Sequence, residues 1–534
     1  MKSNRWAWSA AGLVAGFAGL ATSYFVAMAM TIRSSPVVAI AELVIRQTPG
    51  RLAERAIQVL GHHDKPFLVT VILIGSCALF AYAGRLAARS WWAPAIVFGA
   101  LAAIGFTAVG LQHDTGITDL LPVAVGFVTW LICLSLLTEP LRRAAPVGAT
   151  PGGDPATDAD SDTGSDTPAE PARATPTSAG STRRGFLVRS AVITAAALAV
   201  SAFGRVVGQG RRQVEETRRL LKLSGVSPPV VPAHARIGLD GISSWMTSAG
   251  DFYRIDTSIV APAIQPVDWK LRIHGMVDRE VVLTYQDLLD RRLTEDWITL
   301  NCVSNPVGGP LIGNAWWSGV RLSELLHEAG VHPDADAVLQ TSDTGWTCGT
   351  PLSALTDGRD AMLAVAMNGE PLPIDHGFPV RTIVPGLYGY VSACKWVVDM
   401  EVTQFSRFSA YWTERGWSEK GPVKLSSRID VPRSGDDVTA GPVRVGGVAW
   451  AQHIGIKAVQ VAVDGGDWQP ADVSHPPTDD SWVQWATTVT LDAGDHTLRV
   501  RATDKDGLVQ TGVQRGVLPN GSTGWHTIDV TATS

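Results

Sequence analysis

Long apolar stretches fill the first quarter of the chain. Four of them carry no charged side chain, and each is long enough for a helix to cross the hydrocarbon core of a bilayer. Because a backbone in lipid must satisfy its hydrogen bonds within its own segment, the pattern predicts a four-helix transmembrane domain over residues 1–140. The predicted spans are residues 6–30, 67–84, 91–111 and 120–138.

Basic residues flank these spans unevenly. Lys2, Arg85 and Arg142 all fall on one side of the membrane if the N-terminus is cytoplasmic, which agrees with the excess of basic residues on cytoplasmic sides. Residues 31–65, between the first two spans, are also basic, and their spacing predicts amphipathic helices on the outer surface. The sequence therefore predicts a multi-pass protein of the plasma membrane.

A polar segment and a fifth apolar segment follow. Residues 141–182 are rich in Pro, Gly, Ala, Thr and Asp, which predicts a disordered cytoplasmic linker. The linker ends in Ser-Thr-Arg-Arg-Gly-Phe-Leu at residues 181–187, which matches a twin-arginine export signal; a fifth transmembrane helix with ordinary flanking arginines is the alternative. No clear cleavage site is present, so residues 183–208 are expected to stay as an anchor. Either interpretation makes the chain after about Gln209 extracytoplasmic.

In the second half of the chain, apolar residues recur at the spacings of strands and helices. Residues 269–275 alternate between apolar and polar, whereas residues 322–327 and 360–366 have helical spacing. Together these patterns predict an α+β domain over residues 230–405. Over residues 423–534 the period is two, with Asp and Gly at the turns, which predicts an all-β immunoglobulin-like sandwich.

Composition excludes two classes of protein. The 534 residues carry a formal net charge of -6, so the chain has no global basic field that would hold nucleic acid. Its five cysteines are too few, and odd in number, for a disulfide framework to organise the fold. Charged residues are only 18% of the chain, which agrees with an apolar part joined to a soluble part.

Candidate chemistry is concentrated in the predicted α+β domain. His376, Arg381 and Lys395 lie around turns rich in Gly and Pro, and such side chains suit a phosphate-bearing ligand. A surface hairpin with scattered basic residues is the alternative. Cys302 ends an apolar strand and is followed closely by Ser and Asn, where a thiol is either buried and inert or a functional ligand.

The order of these clusters resembles the sulfite oxidase family of molybdopterin enzymes, which pairs such an α+β domain with an immunoglobulin-like domain. The resemblance covers about residues 240–525, and its most specific part is Asn-Gly-Glu-Pro-Leu-Pro-Ile-Asp-His-Gly-Phe-Pro-Val-Arg at residues 368–381. It implies a molybdenum–molybdopterin cofactor with Cys302 as metal ligand and catalytic residue. It also implies cofactor-binding roles for Tyr253, Arg254, Thr341, His376, Arg381, Ala393, Cys394 and Lys395.

Departures from the family pattern concern the substrate. No arginine follows Cys302 closely, where animal and plant sulfite oxidases have one to bind an oxyanion. Trp346 and its neighbours also replace a stretch where the family has a tyrosine. These departures put sulfite in doubt. A sulfoxide, such as oxidised methionine, is an equal candidate, because the bacterial periplasmic branch of the family that the chain resembles lacks the cytochrome domain. A disulfide between Cys348 and Cys394 stays open.

The sequence therefore predicts a membrane-anchored extracytoplasmic molybdenum oxidoreductase that transfers an oxygen atom to or from a sulfoxide or sulfite. The sulfoxide belongs either to a small molecule or to a protein. Because the sequence contains no haem attachment motif, a separate electron partner is expected, either a quinol-linked membrane protein or a cytochrome. The alternative is a non-enzymatic, membrane-anchored surface-binding protein on a degenerate sulfite-oxidase scaffold.

Overall fold

The computed structural model describes residues 5–30, 32, 35–60, 63–113, 115–143, 179–207 and 210–534. The chain divides into two compact units. The first unit comprises Met1–Val44 and His63–Gln209, and the second comprises Ile45–His62 and Gly210–Ser534.

Helices make up the first unit and the segment 45–62 in the described part of the chain. Five of them, α1, α4, α5, α6 and α7, are long and apolar enough to cross a membrane, and they coincide with the four predicted spans and the predicted anchor. Their orientation stays a prediction. The bounds are α1 (Arg5–Ala29), α2 (Pro36–Gln47), α3 (Gly50–Leu60), α4 (Asp64–Leu86), α5 (Trp92–Gly110), α6 (Leu121–Arg143) and α7 (Ala179–Val207).

Helices α1 and α4 touch through glycines. A Cβ atom at Gly12 would lie 2.0 Å from the carbonyl oxygen of Phe80, and one at Gly84 would lie 2.1 Å from that of Trp8. Because any larger side chain would collide with backbone, glycine allows the two helices to approach each other closely. Small residues at helix contacts are typical of packing between transmembrane helices.

The predicted linker and export signal remain predictions. Residues 144–178 lie outside the described residues, so the disordered linker is not tested. Residues 183 and 184 lie within α7. A helix here is expected both for an export signal and for a fifth span, so it does not distinguish between them.

Two five-stranded sheets build the α+β part of the second unit. The first has the order β2-β1-β10-β5-β6, in which β1 and β10 run parallel. The second has the order β3-β4-β7-β8, and β9 also pairs with β7. The strands are β1 (Lys270–Gly275), β2 (Val281–Thr284), β3 (Thr294–Asn301), β4 (Ile312–Arg321), β5 (Ala337–Ser342), β6 (Thr347–Pro351), β7 (Met362–Met367), β8 (Glu370–Pro371), β9 (Arg381–Ile383) and β10 (Val397–Thr403). The helices are α8 (Gly210–Leu220), α9 (Tyr285–Leu289), α10 (Leu322–Ala329), α11 (Leu352–Thr356) and α12 (Gly389–Ser392).

Helical spacing predicts α10 correctly but fails at β7. Leu325 and Leu326 of α10 are buried in one cluster with Leu271 of β1, as an amphipathic helix requires. The helix predicted over residues 360–366 is wrong, because Met362–Met367 is a strand with every residue buried. A strand buried on both faces is continuously apolar, and periodicity cannot distinguish such a short run from a buried helix.

An eight-stranded sheet completes the second unit. Its order is β11-β13-β16-β15-β14-β17-β18-β12, and β15 joins its two halves by pairing with both β14 and β16. One hydrophobic core contains Trp485 from one half and Val500 from the other, so the sheet curls around it. The predicted strands are present, whereas the immunoglobulin-like topology stays a prediction. The strands are β11 (Ser426–Val431), β12 (Asp437–Thr439), β13 (Gly441–Trp450), β14 (Ile456–Val463), β15 (Gln469–Val473), β16 (Val483–Leu491), β17 (Gly494–Asp504) and β18 (His526–Thr533).

Candidate functional site

The second unit contains an open cleft with an empty volume of about 890 Å³. A thiol and a phenol, from Cys302 and Tyr253, line one part of it. Two cations, Arg381 and Lys395, line another part. Side chains with aromatic rings or hydroxyl groups supply much of the remaining wall. These include Ser258, Ser342, Thr344, Trp346, Tyr390, Trp396, Trp412 and Trp417.

Cys302 lies in the turn that follows β3. Its backbone N–H donates to the carbonyl oxygen of Leu311 at 3.0 Å, and its carbonyl oxygen accepts from the N–H of Asn305 at 3.0 Å. These hydrogen bonds close the connection between β3 and β4, so the strand pair fixes the position of Cys302. Only 8% of the residue is exposed, yet it lines the cleft. A ligand in the cleft can therefore reach a sulfur that is largely shielded from water.

Tyr253 supplies a neutral hydroxyl group. Its ring stacks on Phe252, with 5.3 Å between the ring centroids. Burial, followed by the neighbouring Cys302, raises the pKa of Tyr253 far above its ordinary value. The hydroxyl group therefore keeps its proton at neutral pH and can donate a hydrogen bond to a ligand.

Arg381, on β9, is a buried cation that forms no ion pair with any described carboxylate. Its Nη1 atom donates to the carbonyl oxygen of His376 at 3.0 Å, and its guanidinium lies over the ring of Trp317 at 5.2 Å. None of the described residues gives it a carboxylate partner. Burial lowers the pKa of Arg381 to about 10, so it is still charged at neutral pH. Such a charge favours the binding of an anion.

Lys395 belongs to a chain of ion pairs in the wall of the cleft. Its Nζ atom lies 3.1 Å from Oδ2 of Asp256 and 3.1 Å from the carbonyl oxygen of Asp375. Arg254 bridges the same two residues, at 3.1 Å from Asp256 and 3.3 Å from Asp375. Burial lowers the pKa of Lys395 to about 8, although Asp256 opposes this effect. The carboxylate of Asp256 thus holds Lys395 in place and offsets part of its positive charge before any ligand binds.

His376 is neutral at physiological pH. Its Nε2 atom lies 2.9 Å from the carbonyl oxygen of Ala249. Because a carbonyl oxygen only accepts, we assign the ring proton to Nε2, which leaves Nδ1 as an acceptor. Burial, and then the charges of Lys395 and Arg381, lower the pKa of His376 to about 4.

Three buried polar atoms around the cleft lack partners among the described residues. They are Nε of Arg381, Nδ1 of His376 and Oδ1 of Asn301. An unpaired buried polar group costs about 1–3 kcal/mol, so a ligand that satisfies these atoms gains affinity. The phosphate of molybdopterin would pair with the guanidinium, and its pterin N–H groups suit the two acceptors. The residues present therefore fit this cofactor.

The structure brings most of the predicted site residues together. Arg254 and His376 contact the lining residues from behind, whereas Thr341 lies on β5 beside the lining residue Ser342 and does not itself line the cleft. Cys394 is fully buried next to a lining residue. The predicted residues that line the cleft are Tyr253, Cys302, Arg381, Ala393 and Lys395.

Cys348 and Cys394 are adjacent, reduced thiols. Neither forms a disulfide, and both are fully buried. Burial, followed by the hydrogen bond with Cys348, raises the pKa of Cys394 well above its ordinary value. The Cys394 thiol is thus protonated in this structure.

Part of the site is not among the predicted residues. Asp256 has no predicted role, although an acidic residue two positions after Arg254 is a signal for an ion pair. Trp412 and Trp417 line the cleft but lie in residues 406–422, between the two predicted domains. The density of Trp in that stretch could have pointed to a binding wall.

Known proteins are similar in sequence to this part of the chain. The family described as "Oxidoreductase molybdopterin binding domain" matches residues 258–412. The uncharacterized oxidoreductase YuiH of Bacillus subtilis is 33% identical over 161 residues, which are 30% of this chain and 78% of that protein. Human mitochondrial sulfite oxidase is 28% identical over 324 residues, which are 50% of this chain and 58% of that enzyme. The chain thus spans little more than half the length of the human protein.

A solved structure is also similar. The sulfane dehydrogenase SoxCD of Paracoccus pantotrophus is 25% identical, and the match covers 58% of this chain and 85% of that chain with a TM-score of 0.46.

The matched residues 258–412 include most of the cleft lining. Cys302, Arg381 and Lys395 all lie within the matched range. The identity with YuiH over most of its length, together with the sulfite oxidases, confirms that the chain is an enzyme, a molybdenum-dependent oxidoreductase. Molybdenum–molybdopterin is likewise confirmed as its cofactor. The chain belongs to the sulfite oxidase family of molybdopterin-dependent oxidoreductases.

Proposed function

We propose that this enzyme is anchored in the plasma membrane and transfers one oxygen atom to or from a substrate in an extracytoplasmic cleft. The observation that carries the proposal is the position of Cys302, whose sulfur is shielded from water but reached through the cleft. A thiolate in this position suits a soft metal such as molybdenum. When bound, the cofactor supplies the oxygen-atom and electron transfer.

The protein's own residues bind and orient the cofactor in this proposal. Arg381 is the counterion of the phosphate, because it is buried and charged and has no carboxylate partner among the described residues. His376 accepts a hydrogen bond at Nδ1, and Tyr253 donates one from its neutral hydroxyl group. Arg254 and Lys395 hold the surrounding segments through Asp256. Thr341, Ala393 and Cys394 keep the binding roles implied by the resemblance.

A neutral sulfoxide is the substrate that the cleft supports best. Among the described lining residues, Arg381 and Lys395 are the cationic ones, and both are engaged in this proposal. Sulfite would need a further cation, since an oxyanion binds best to a guanidinium. The wall that contains Trp346, Trp412 and Trp417 instead suits the apolar groups of a small-molecule or protein sulfoxide.

The finer features of the enzyme belong to the same proposal. Five apolar helices support anchoring in the membrane, and the segment at residues 181–187 supports export by the twin-arginine route. The strands after residue 423 support an immunoglobulin-like domain. Electrons pass to or from a separate partner, either a quinol-linked membrane protein or a cytochrome.

The proposal is tested on the full chain purified in detergent with its cofactor. Turnover is measured with sulfoxides and a reduced dye, and with sulfite and an oxidised dye. We expect turnover with sulfoxides and little with sulfite. Turnover with sulfite alone would overturn the substrate assignment.

Substitution of the proposed metal ligand tests the site itself. We expect Cys302→Ser to lower turnover at least about 100-fold, because loss of a ligand exceeds the 10–100-fold effect of losing a group behind one. Cys77→Ser is the matched control, since Cys77 is exposed on α4, outside the cleft. Full activity of Cys302→Ser would contradict the proposed role of Cys302.

A further inference from the structure

Helix α8 belongs to the second unit and is the next described helix after α7. It lies against the segment that carries His376. This segment, Pro371–His376, ends in a short 3-10 turn at Ile374–His376. Helix α8 lies outside the predicted molybdopterin domain, which begins at residue 230. Its contacts nevertheless reach the residues that surround the cofactor site.

An apolar contact packs α8 against the core of the second unit. Val214 is the buried residue of this otherwise strongly charged helix, with 1% of its surface exposed. It belongs to a core cluster that also contains Leu372, Ile374 and Phe378. The cluster thus joins one face of α8 to the segment Pro371–His376.

Two arginines of α8 bind the same segment through polar contacts. Nη2 of Arg211 donates to Oδ1 of Asp375 at 2.8 Å, and Nη1 of Arg218 donates to the carbonyl oxygen of Pro371 at 3.1 Å. Glu215 orients Arg218 by accepting two hydrogen bonds from its guanidinium, at 2.9 and 2.8 Å. The segment is therefore held near both of its ends.

The far side of this segment faces the cofactor cations. The carbonyl oxygen of His376 accepts from Arg381, and that of Asp375 accepts from Lys395. The Asp375 carboxylate also pairs with Arg254 at 3.3 Å. Asp375 is thus shared between α8 and the cation chain. Burial would raise the pKa of Asp375, but the hydrogen bond from Arg211 and the charges of Arg254 and Arg211 lower it.

We propose that α8 is a positioning clamp that slows release of molybdopterin by holding Pro371–His376 against the cofactor cations. The inference rests on the proposed function, which places the cofactor among Arg381, His376 and Lys395. Release then requires this segment to move away from the cations, and each contact with α8 opposes that movement. Arg211 and Arg218 act through the segment and do not themselves touch the cofactor.

The test measures how fast the purified full chain loses its cofactor. Molybdenum by mass spectrometry and pterin by fluorescence are followed during dialysis. Because partly exposed ion pairs contribute little individually, we expect Arg211→Ala to accelerate loss about threefold. Arg211→Ala combined with Arg218→Ala should reach about tenfold, and Arg211→Lys should restore most of the slow release.

Arg219→Ala is the matched control. Arg219 lies on α8 but is largely exposed, and its described bond goes to Glu215 rather than to the segment. It should lose cofactor at the wild-type rate. Thermal unfolding of the cofactor-free proteins provides a second readout, in which Arg211→Ala and Arg219→Ala should match, since a merely structural role would separate them.

The two proposals fail in different ways. If the wild-type chain contains molybdenum and pterin but the double variant loses them at the wild-type rate, the clamp is wrong. A wild-type chain that acquires no molybdenum would instead overturn the proposed function. A lower unfolding temperature of cofactor-free Arg211→Ala would show a structural role and overturn the clamp.

Discussion

Two buried arginines of the second unit differ in their partners. Arg428 donates to Oδ1 of Asp430 at 2.6 Å and to the carbonyl oxygen of Gly309 at 2.7 Å. Arg381 has no carboxylate partner in the described structure, although it is more deeply buried. The first arrangement is complete in the free protein, whereas the second is completed by an anion.

Substitution of these arginines should have opposite effects on the cofactor-free protein. Arg381→Gln removes an uncompensated buried charge and should raise the unfolding temperature. Arg428→Gln leaves the buried Asp430 carboxylate without its cation, although the N–H of Ser243 still donates to it, and should cost about 3–5 kcal/mol. Thermal unfolding of protein from cells that cannot make the cofactor measures both effects.

The same variants should also separate in cofactor content. Protein from ordinary cells should lose most of its molybdenum and pterin in Arg381→Gln but retain them in folded Arg428→Gln. A normal cofactor content in Arg381→Gln would refute its role as the phosphate counterion.

His376 should make the stability of the cofactor-free protein depend on pH. Its pKa falls from about 6.5 in the unfolded chain to about 4 in the fold, mainly through burial and then through Lys395 and Arg381, while Asp375 opposes the shift. A depressed histidine pKa stabilises the fold fully above pH 6.5, and this contribution is lost as the pH falls towards 4. Between pH 7 and 4 the wild type should lose about 3 kcal/mol more than His376→Gln.

Denaturant unfolding at several pH values measures this difference. Glutamine can still donate to the carbonyl oxygen of Ala249 but does not titrate. Parallel stability curves for the two proteins would show that His376 is not held neutral by the fold.

At the scale of elements, the contact between α1 and α4 depends on glycine. Gly12→Val would place carbon atoms where the carbonyl oxygen of Phe80 lies, so the helices should separate and the unfolding temperature in detergent should fall. Gly75→Val on α4 is the control, because nothing lies within 4 Å of a Cβ atom there. Equal unfolding temperatures for the two variants would contradict the close packing.

Prediction of elements succeeds where one face is buried. The spacing of Leu322–Ala329 identifies α10 because half of this helix faces solvent, and the alternation of Lys270–Gly275 identifies β1 for the same reason. Spacing fails at Met362–Met367, where both faces of the strand are buried. The apolar–polar pattern therefore arises only where one face of an element is exposed to water. A strand that is buried on both faces has no such periodicity.

At the scale of the whole molecule, the site does not follow the domain limits read from the sequence. Trp412 and Trp417 line the cleft from beyond residue 405, and α8 contacts the cofactor segment from before residue 230. Both parts belong to the second unit. Connections between predicted domains can thus complete a site, because packing depends on position in space and not on position along the chain.

The sequence by itself determined the family, the cofactor and the apolar helices. These follow from local sequence motifs, such as residues 368–381, and from runs of apolar residues. Neither requires knowledge of long-range contacts. The tertiary structure alone decided that Arg381 lacks a carboxylate among the described residues, that Lys395 has Asp256, and that α8 binds Pro371–His376. Packing brings together partners that are distant along the chain. Their charges interact strongly only when burial removes the water between them.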